Sequence, residues 1–365
     1  MKAHILAAGL LILVFVVSGC VAPSEQNISV QAPNLTKQEI APSDENISEL
    51  PSEVSEEPEE RCATLKDGYN LITKSTKLCP AKYTNSNIKL AGNHLTLDCQ
   101  GAQIYSTLKS GCGIEIIGPY NTVRNCNMTN FYYSMCGEKV TGATIENNHM
   151  NYAGRYGIIL SGNENSIIGN VLLETPYGIF VNGTSTIAHD NLISSNNITL
   201  RKKEHSRGIS AIGHEFIIEK NIIKNAYDGI VLSAYELDEL DTYPHIATSD
   251  DADGTIVSEN EVEAEHVGVV AGNGCSIISN IVKNSELGIM IASTNTNVTK
   301  NNVGGCEYGI YDRSEDEHNI ISYNVACGNK YDVVCWGSTG INNTATSVRG
   351  VCNVNYTACA SEPNN

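Results

Sequence analysis

The pair Gly-Ile, or a close variant of it, recurs through the middle of this chain at a spacing of mostly 20 to 23 residues. Ser134 and Asp332 occupy two places where the same spacing would put a glycine. A fixed period of this length is typical of repeat architectures, in which each repeat is one structural unit. The glycines of the pair are Gly113, Gly157, Gly178, Gly208, Gly229, Gly268, Gly288 and Gly309.

A second series runs in phase with the first and places an asparagine three residues after an apolar residue. Around both series, short apolar stretches alternate with polar residues and are separated by Gly, Asn and Ser, which predicts short strands joined by turns. Strands this short cannot bury a face alone, so successive repeats must stack. The asparagine series, opened by Cys126, contains Asn148, Asn170, Asn196, Asn221, Asn260, Asn280, Asn301 and Asn324.

The sequence therefore predicts an all-β fold, a single-stranded right-handed parallel β-helix of about eleven coils. The stacked asparagines would form a ladder, because Asn tolerates a sharp turn and its amide can bond the Asn of the next coil. Two steps of the period are longer, so we expect an insertion in each of them. We place the β-helix at 61–335 and a disulfide-tied C-terminal cap, where the repeat fades, at 336–365.

The N-terminal part follows a different plan. Residues 1–19 combine a positive charge, a short apolar run and small residues before a cut, which predicts a signal peptide. The residues before Cys20 resemble the lipobox of prokaryotic lipoproteins, in which that cysteine carries the lipid; an incidental cysteine is the alternative. Residues 20–60 are rich in proline and acidic residues, which predicts a disordered stalk. We expect an extracytoplasmic lipoprotein, anchored in the membrane at the cell surface through its lipid alone.

Charge and cysteine content narrow the choice of partners and compartment. A formal net charge of −18 argues against nucleic acid as a partner. The twelve cysteines after Cys20 lack the paired spacing of zinc sites, so in an exported chain we expect disulfides that pin both ends of the rod. Spacing favours Cys62–Cys79 and Cys306–Cys327 without fixing the full connectivity. The twelve are Cys62, Cys79, Cys99, Cys112, Cys126, Cys136, Cys275, Cys306, Cys327, Cys335, Cys352 and Cys359.

Several segments resemble the parallel β-helix families grouped with pectin lyases, NosD and the carbohydrate-binding and sugar-hydrolase domains. The resemblance rests on the segments 165–170 and 177–181 and on an entry segment at 78–80 and 95–101. It implies the fold over about residues 62–340, but it carries over no catalytic residue, because chemistry in such families sits on a few outward residues and loops. A copper-related role, implied by the NosD resemblance alone, finds no Met-rich or His-rich ligand set here.

The two insertions are where we expect chemistry, because loops on a rigid scaffold carry function more often than the scaffold does. The first holds a basic cluster at 201–207, and the second an acidic run within 234–253. Since consecutive coils stack, Arg207 and Asp228 should lie at equivalent positions one coil apart. The catalytic candidates are Lys202, Lys203, His205, Arg207, Asp228, Asp241 and His245.

Three functions remain open for these loops. A polysaccharide lyase would use carboxylates to hold calcium against an acidic sugar and a basic side chain to remove a proton, and a glycoside hydrolase would use two carboxylates. A binding module would hold a glycan or a protein without turnover. In a structural envelope protein the loop charges would only pair with each other. The calcium candidates are Asp250, Asp251 and Asp253.

Two columns outside the insertions also bear on binding. The residue before the repeat glycine is often tyrosine, which would offer sugar rings a flat apolar face if exposed and would form a stacking ladder if half-buried. The residue two places after the glycine should face outward and forms an apolar strip that suits a protein partner. We expect a carbohydrate-binding or surface interaction module, with a lyase, a hydrolase or a structural protein as alternatives. The binding candidates are Tyr156, Tyr177, Phe180, Tyr308 and Tyr311.

Overall fold

Every regular element of the described chain is a β-strand, and each strand pairs in parallel with its counterpart one turn away. The structure is a computed structural model that describes residues 62–182, 189–232, 252–314 and 318–360. These residues belong to the unit Glu59–Asn365. The predicted signal peptide, Cys20 and the stalk lie outside the described residues. Within the described ranges, no helix is long and apolar enough to cross a membrane.

The strands run in the following order along the described residues. They are β1 (Gly68–Ile72), β2 (Thr76–Lys77), β3 (Lys82–Thr84), β4 (Ser86–Ala91), β5 (Thr96–Asp98), β6 (Gln103–Tyr105), β7 (Cys112–Ile117), β8 (Thr122–Arg124), β9 (Asn127–Thr129), β10 (Tyr133–Gly137), β11 (Thr144–Glu146), β12 (His149–Asn151), β13 (Tyr156–Ser161), β14 (Ser166–Ile168), β15 (Val171–Thr175), β16 (Tyr177–Asn182), β17 (Leu192–Ser194), β18 (Asn197–Leu200), β19 (Arg207–Ile212), β20 (Ile217–Glu219), β21 (Ile222–Leu232), β22 (Ile256–Ser258), β23 (Glu261–Ala271), β24 (Ser276–Ile278), β25 (Ile281–Lys283), β26 (Leu287–Ile291), β27 (Asn297–Thr299), β28 (Asn302–Gly304), β29 (Tyr308–Asp312), β30 (Ile320–Ser322), β31 (Val325–Ala326), β32 (Tyr331–Ala345) and β33 (Val348–Thr357).

Three strands make one turn, and the turns stack into three parallel faces. Face A contains β1, β4, β7, β10, β13, β16 and β19, then the second halves of β21 and β23, then β26, β29 and β32. Faces B and C carry the second and third strand of each turn, for example β14 on β17 and β15 on β18. The predicted β-solenoid of about eleven turns is confirmed.

The repeat glycines allow the backbones of neighbouring turns to approach closely on face A. A Cβ atom on Gly178 would lie 2.3 Å from the carbonyl oxygen of Gly208, and one on Gly229 would lie 2.3 Å from that of Gly268. No side chain fits at such distances. The isoleucine after each glycine points into the core, and Ile209 and Ile230 are fully buried there. The Gly-Ile pair is thus a packing requirement repeated once per turn.

The asparagine series forms a buried ladder between faces B and C. The Nδ2 of Asn170 donates to Asn196 Oδ1 at 3.0 Å, and Asn170 Oδ1 accepts from the backbone and side-chain nitrogens of Asn148 at 3.0 Å each. The residue before each ladder asparagine is left-handed, for example Ser195 with φ of 58°, which bends the chain at this corner. The ladder continues one turn past the predicted series to Asn343. It satisfies amides that would otherwise be buried without partners.

Five disulfides link described cysteines and cluster at the two ends of the stack. One end has Cys62–Cys79, Cys99–Cys126 and Cys112–Cys136, and the other has Cys327–Cys359 and Cys335–Cys352. The pairing predicted for Cys62 with Cys79 is therefore present.

The pairing predicted between Cys306 and Cys327 is wrong. The parallel register places Val303 beside Ala326, so Cys327 stacks on Gly304 and Cys306 lies two residues further along its turn. Cys306 and Cys275 are buried free thiols, so the expectation that all twelve cysteines pair is wrong as well.

Parallel stacking continues beyond residue 335, where the sequence suggested that a cap begins. Strand β32 pairs with both β30 and β31, and β33 pairs with β32 along most of its length. Val348, Cys352 and Val354 still pack against the core, each partly buried. The last two strands therefore extend the solenoid.

Candidate ligand-binding groove

Two columns of outward side chains run along face A, parallel to the direction of stacking. The Gly−1 column holds the residue before each repeat glycine, and the Gly+2 column holds the residue two places after it. Arg207 pairs with Asp228 one turn away, as predicted from the period. The Gly−1 column reads Tyr133, Tyr156, Tyr177, Arg207, Asp228, Val267, Leu287, Tyr308 and Tyr331.

The apolar part of the Gly+2 column is a packed cluster. Val231, Val270 and Met290 are at most 5% exposed and join Val267 in a cluster separate from the main core. The columns lie on the same face, so their side chains fill the space between them and shield each other. Over these turns the strip is therefore closely packed and little exposed, and the protein partner expected there stays a prediction.

A buried ionic cluster sits beside this apolar one. Arg207 Nε lies 3.4 Å from Asp228 Oδ2, and these two side chains are only 6% and 11% exposed. His266 Nδ1 lies 2.9 Å from the other carboxylate oxygen, Oδ1. One carboxylate thus holds a guanidinium and an imidazole, which orients both rigid groups toward the same side of face A.

The surroundings favour the charged form of His266. Burial of the ring by itself would lower the pKa of His266, but the hydrogen bond to Asp228 and the charges of Asp228 and Glu286 outweigh it and raise the pKa above its ordinary value of 6.5. The ring stacks on Tyr227 with centroids 4.8 Å apart, and His205 contacts the same tyrosine at 5.5 Å. Burial, followed by the nearby carboxylates, raises the pKa of Tyr227.

Arg207, Asp228 and His266 line a groove of about 420 Å³ on face A. The ionic cluster and Glu286 form one side, and the apolar cluster forms the floor. Tyr308 and Tyr311 form the far side together with Arg313, and their ring centroids lie 5.4 Å apart. The volume lies within the range of small-molecule sites, and so does the combination of apolar lining with a few convergent polar groups.

The aromatic side of the groove continues into the next turn. Tyr308 contacts Tyr331 at 5.1 Å between centroids, and Tyr311 contacts Trp336 edge-on at 5.9 Å. Tyr308, Tyr311 and Tyr331 are half-buried, and Trp336 is exposed. The tyrosines therefore both stack as a ladder and keep part of each ring accessible.

The structure brings only some of the sequence-predicted residues to this groove. Arg207 and Asp228 line it, and His205 reaches it indirectly through Tyr227. Lys202 and Lys203 are exposed in the loop between β18 and β19 and do not line it. The other candidates of the acidic insertion lie outside the described residues, namely Asp241, His245, Asp250 and Asp251.

Asp253, the remaining calcium candidate, lies elsewhere. It lines a separate cavity of about 500 Å³ at the corner between faces A and B, together with His189, Asp190, His214 and Glu215. His189 Nδ1 is occupied by Asp190 Oδ2 at 2.7 Å.

Sequence reasoning missed His266, Glu286 and Arg313. The first two share a column with Tyr227, two residues before the repeat glycine, and this column carries no recurring residue type. Its signal is chemical: a tyrosine, a histidine and a glutamate follow one another on successive turns beside Arg207 and Asp228. Comparing ionisable residues across the stacked turns would have found two of the three.

Comparisons with known proteins give one match to a family model and several similar solved structures. Residues 86–243 match the family model described as NosD, periplasmic copper-binding protein. The alginate lyase AlyF-OU02, solved in complex with G6, is similar with a TM-score of 0.56 at 12% identity, covering 80% of this chain and 84% of the lyase. The periplasmic alginate epimerase AlgG gives a TM-score of 0.46 at 12% identity, covering 80% of this chain and 77% of the epimerase.

A phage protein shows the same kind of similarity over a shorter share of its length. The Dettilon tailspike protein gives a TM-score of 0.41 at 15% identity and covers 73% of this chain, and the chain spans 58% of the tailspike. No curated protein matches this chain in sequence.

Among the residues that the structure describes, no donor set matches the copper named in the NosD description. The described residues contain no group of three or more His, Cys, Asp or Glu side chains that could hold a metal ion. Disulfides persist in oxidising compartments, so the five disulfides indicate that the folded part lies outside the cytoplasm. Because the described residues form stacked parallel turns and the alginate lyase shares this fold over 80% of the chain, this chain is a parallel β-helix repeat protein.

Proposed function

We propose that this protein binds a polysaccharide in the groove on face A. The proposal rests on the two sides of the groove: half-buried tyrosines line one side, and the ionic cluster lines the other. Sugar rings present flat apolar faces edged by hydroxyls, so aromatic side chains can stack on them while charged groups bond the rim. The alginate lyase of the same fold was solved with G6, which supports a glycan as the ligand.

The groove suits binding because its polar groups are held in place before a ligand arrives. Asp228 fixes both Arg207 and His266, and Tyr331 and Trp336 support Tyr308 and Tyr311. A site whose side chains are already ordered loses less conformational entropy when the ligand binds.

Retention of the purified protein on immobilised acidic and neutral polysaccharides tests this function. The parent protein should be retained on at least one of them, and Tyr311→Ala should weaken its affinity about tenfold, because a buried aromatic anchor carries much of such binding energy. Tyr356→Ala is the matched control, since Tyr356 is 46% exposed on β33, away from the groove. Retention that Tyr311→Ala leaves unchanged would rule out the groove as the site.

One observation favours a second function, a polysaccharide lyase or glycoside hydrolase. Asp228 holds His266 through Nδ1, which leaves the other ring nitrogen to exchange a proton with a bound ligand. General acid–base groups of this kind contribute about 10²- to 10⁴-fold to a rate. If the protein shortens a polysaccharide, His266→Gln should slow product formation by at least about a hundredfold. Product chain lengths read by mass spectrometry decide between binding alone and turnover.

We also propose that Cys20 carries a lipid that anchors the protein at the outer side of a membrane. The residues before it resemble a lipobox, and the compartment implied by the disulfides is compatible with such an anchor. Mass spectrometry of the mature protein should find an acylated N-terminal cysteine, and Cys20→Ser should release the protein from membranes. An unmodified residue at that position would contradict the anchor.

A further inference from the structure

A second group of aromatic side chains lies on face A, in the turns directly before the groove. We call it the N-terminal ring cluster: Tyr132, Tyr133, Tyr156, Tyr177 and Phe180. Its ring centroids are 4.7 Å apart for Tyr132 and Tyr133, 5.9 Å for Tyr133 and Tyr156, 4.9 Å for Tyr156 and Tyr177, and 5.5 Å for Tyr156 and Phe180. None of these five residues lines the groove.

The cluster is ordered and yet partly open to solvent. Its central ring, Tyr156, is only 7% exposed, whereas Tyr132 is 37% exposed and the other three are half-buried. The guanidinium of Arg155 lies 5.3 Å from the centroid of the Tyr156 ring, which holds that ring from its outer side. The solenoid core does not need these rings, because Ile158 and Ile179 fill it on the inner side of the same strands.

The strand register links this cluster to the aromatic side of the groove. From Tyr177 the Gly−1 column passes through Arg207, Asp228, Val267 and Leu287 to reach Tyr308, which is five steps along the stack. At about 4.8 Å per step, the two aromatic groups are separated by about 24 Å. The ionic cluster and the apolar floor occupy the turns between them. Face A thus carries one aromatic group before the ionic cluster and a second one after the apolar floor, along the same column.

We propose that the N-terminal ring cluster is a second sugar-stacking platform and that the ligand is an extended glycan long enough to reach from it to Tyr308. The inference rests on the proposed function, because it requires that the groove itself binds a glycan. A disaccharide can occupy only one of the two aromatic groups, whereas a longer chain can occupy both. The second contact is then made within the same complex and strengthens binding through a high effective concentration.

An oligosaccharide length series tests the proposal. Fragments from disaccharide to decasaccharide, prepared from a polysaccharide that the parent protein retains, are titrated calorimetrically. Affinity should rise with length and reach a plateau once the fragment spans both groups. Phe180→Ala should weaken binding of the longest fragment about tenfold and leave the disaccharide unchanged. Tyr311→Ala should weaken both, and Tyr356→Ala, the control away from face A, should weaken neither.

The outcomes separate the two proposals. Affinity that does not change with length, or equal losses for short and long fragments in Phe180→Ala, would overturn the second platform and leave the groove standing. Losses in Phe180→Ala with none in Tyr311→Ala would instead overturn the groove as the primary site. Circular dichroism and urea unfolding of each variant show whether a loss of affinity comes from a loss of the fold. Tyr132→Ala is an independent variant that tests the same cluster.

Discussion

Asp228 accepts a hydrogen bond from the Nδ1–H of His266 at 2.9 Å while Arg207 lies 3.4 Å from its second oxygen. The three groups come from three successive turns, so the contact between them exists only when those turns are stacked. A positive charge on the imidazole is favoured by the carboxylate beside it and is partly opposed by the nearby guanidinium. Protonation of His266 is therefore coupled to the packing of face A.

His266→Gln should remove a pH-dependent part of the stability. Because the pKa of His266 in the folded protein lies above its ordinary value of 6.5, the stabilisation is fully present below about pH 6.5 and is lost as the pH rises through the folded-state pKa. Urea unfolding of the parent and the variant between about pH 5 and 9 should give a difference in free energy that shrinks toward alkaline pH. Asp228→Asn should reduce the same trend. A difference that stays constant with pH would contradict the coupling.

Asn196→Ala should destabilise the fold by about 2–4 kcal/mol. The change removes Oδ1, which accepts from the backbone N–H of Asn170 at 2.9 Å and from its Nδ2 at 3.0 Å, and it removes the donor that Asn221 Oδ1 accepts. The buried backbone N–H of Asn170 then loses its partner, and Asn221 Oδ1 keeps only the bond from the backbone N–H of residue 196. Asn197→Ala, at the exposed adjacent position, is the matched control and should change the free energy by less than about 0.5 kcal/mol. Equal losses in the two variants would refute the ladder's contribution.

Gly229→Ala should be more disruptive than an ordinary glycine replacement. Its Cβ would lie 2.3 Å from the carbonyl oxygen of Gly268 and 2.3 Å from Val262 Cγ1, so two stacked turns would have to separate. We expect a loss of at least about 2 kcal/mol in urea unfolding. Gly304→Ala is a suitable control, because its Cβ would meet only the Cys327 oxygen, at 3.1 Å. A loss in the control as large as in Gly229→Ala would show that close approach is not the cause.

Cys275 and Cys306 should resist thiol reagents until the protein unfolds. Burial raises the pKa of the Cys275 thiol to about 12 and also raises that of Cys306, which suppresses the reactive thiolate of both. Alkylation in native buffer should leave both thiols unmodified, and alkylation in denaturant without reductant should label both of them, as read by peptide mass spectrometry. Labelled Cys359 together with protected Cys306 would instead support the rejected pairing of Cys306 with Cys327.

The period of the sequence was sufficient to predict the stacked turns and one contact of the groove. Glycine and asparagine recur at the positions of Gly178 and Asn170 because each turn must pack against its neighbours in the same way. This requirement repeats the same residue types at a regular spacing in the sequence. The same regularity correctly aligned Arg207 with Asp228. Features that depend on a single turn left no such trace. His266 has no counterpart of the same type on the neighbouring turns. It belongs to the ionic cluster because the stack places the carboxylate of Asp228 2.9 Å from its Nδ1.

Other details depend on offsets finer than the period. Cys306 and Cys327 are separated by almost one repeat, yet a difference of two residues along the turn keeps them from stacking. Val231 and Met290 face outward as their positions require, but side chains of the adjacent column shield them. The first outcome is set by an offset along the turn and the second by packing between columns. The repeat predicts only which residues stack within a column.

Outside its own turn, each asparagine of the ladder bonds to the turns directly before and after it. A turn therefore meets its neighbours through contacts that any other turn of the ladder could supply, and stability adds up between nearest neighbours. Duplication of one segment of the gene could insert a whole turn without redesigning the core. The distance between the two aromatic groups would then change in steps of one turn, and with it the length of glycan that the proposed site could accommodate.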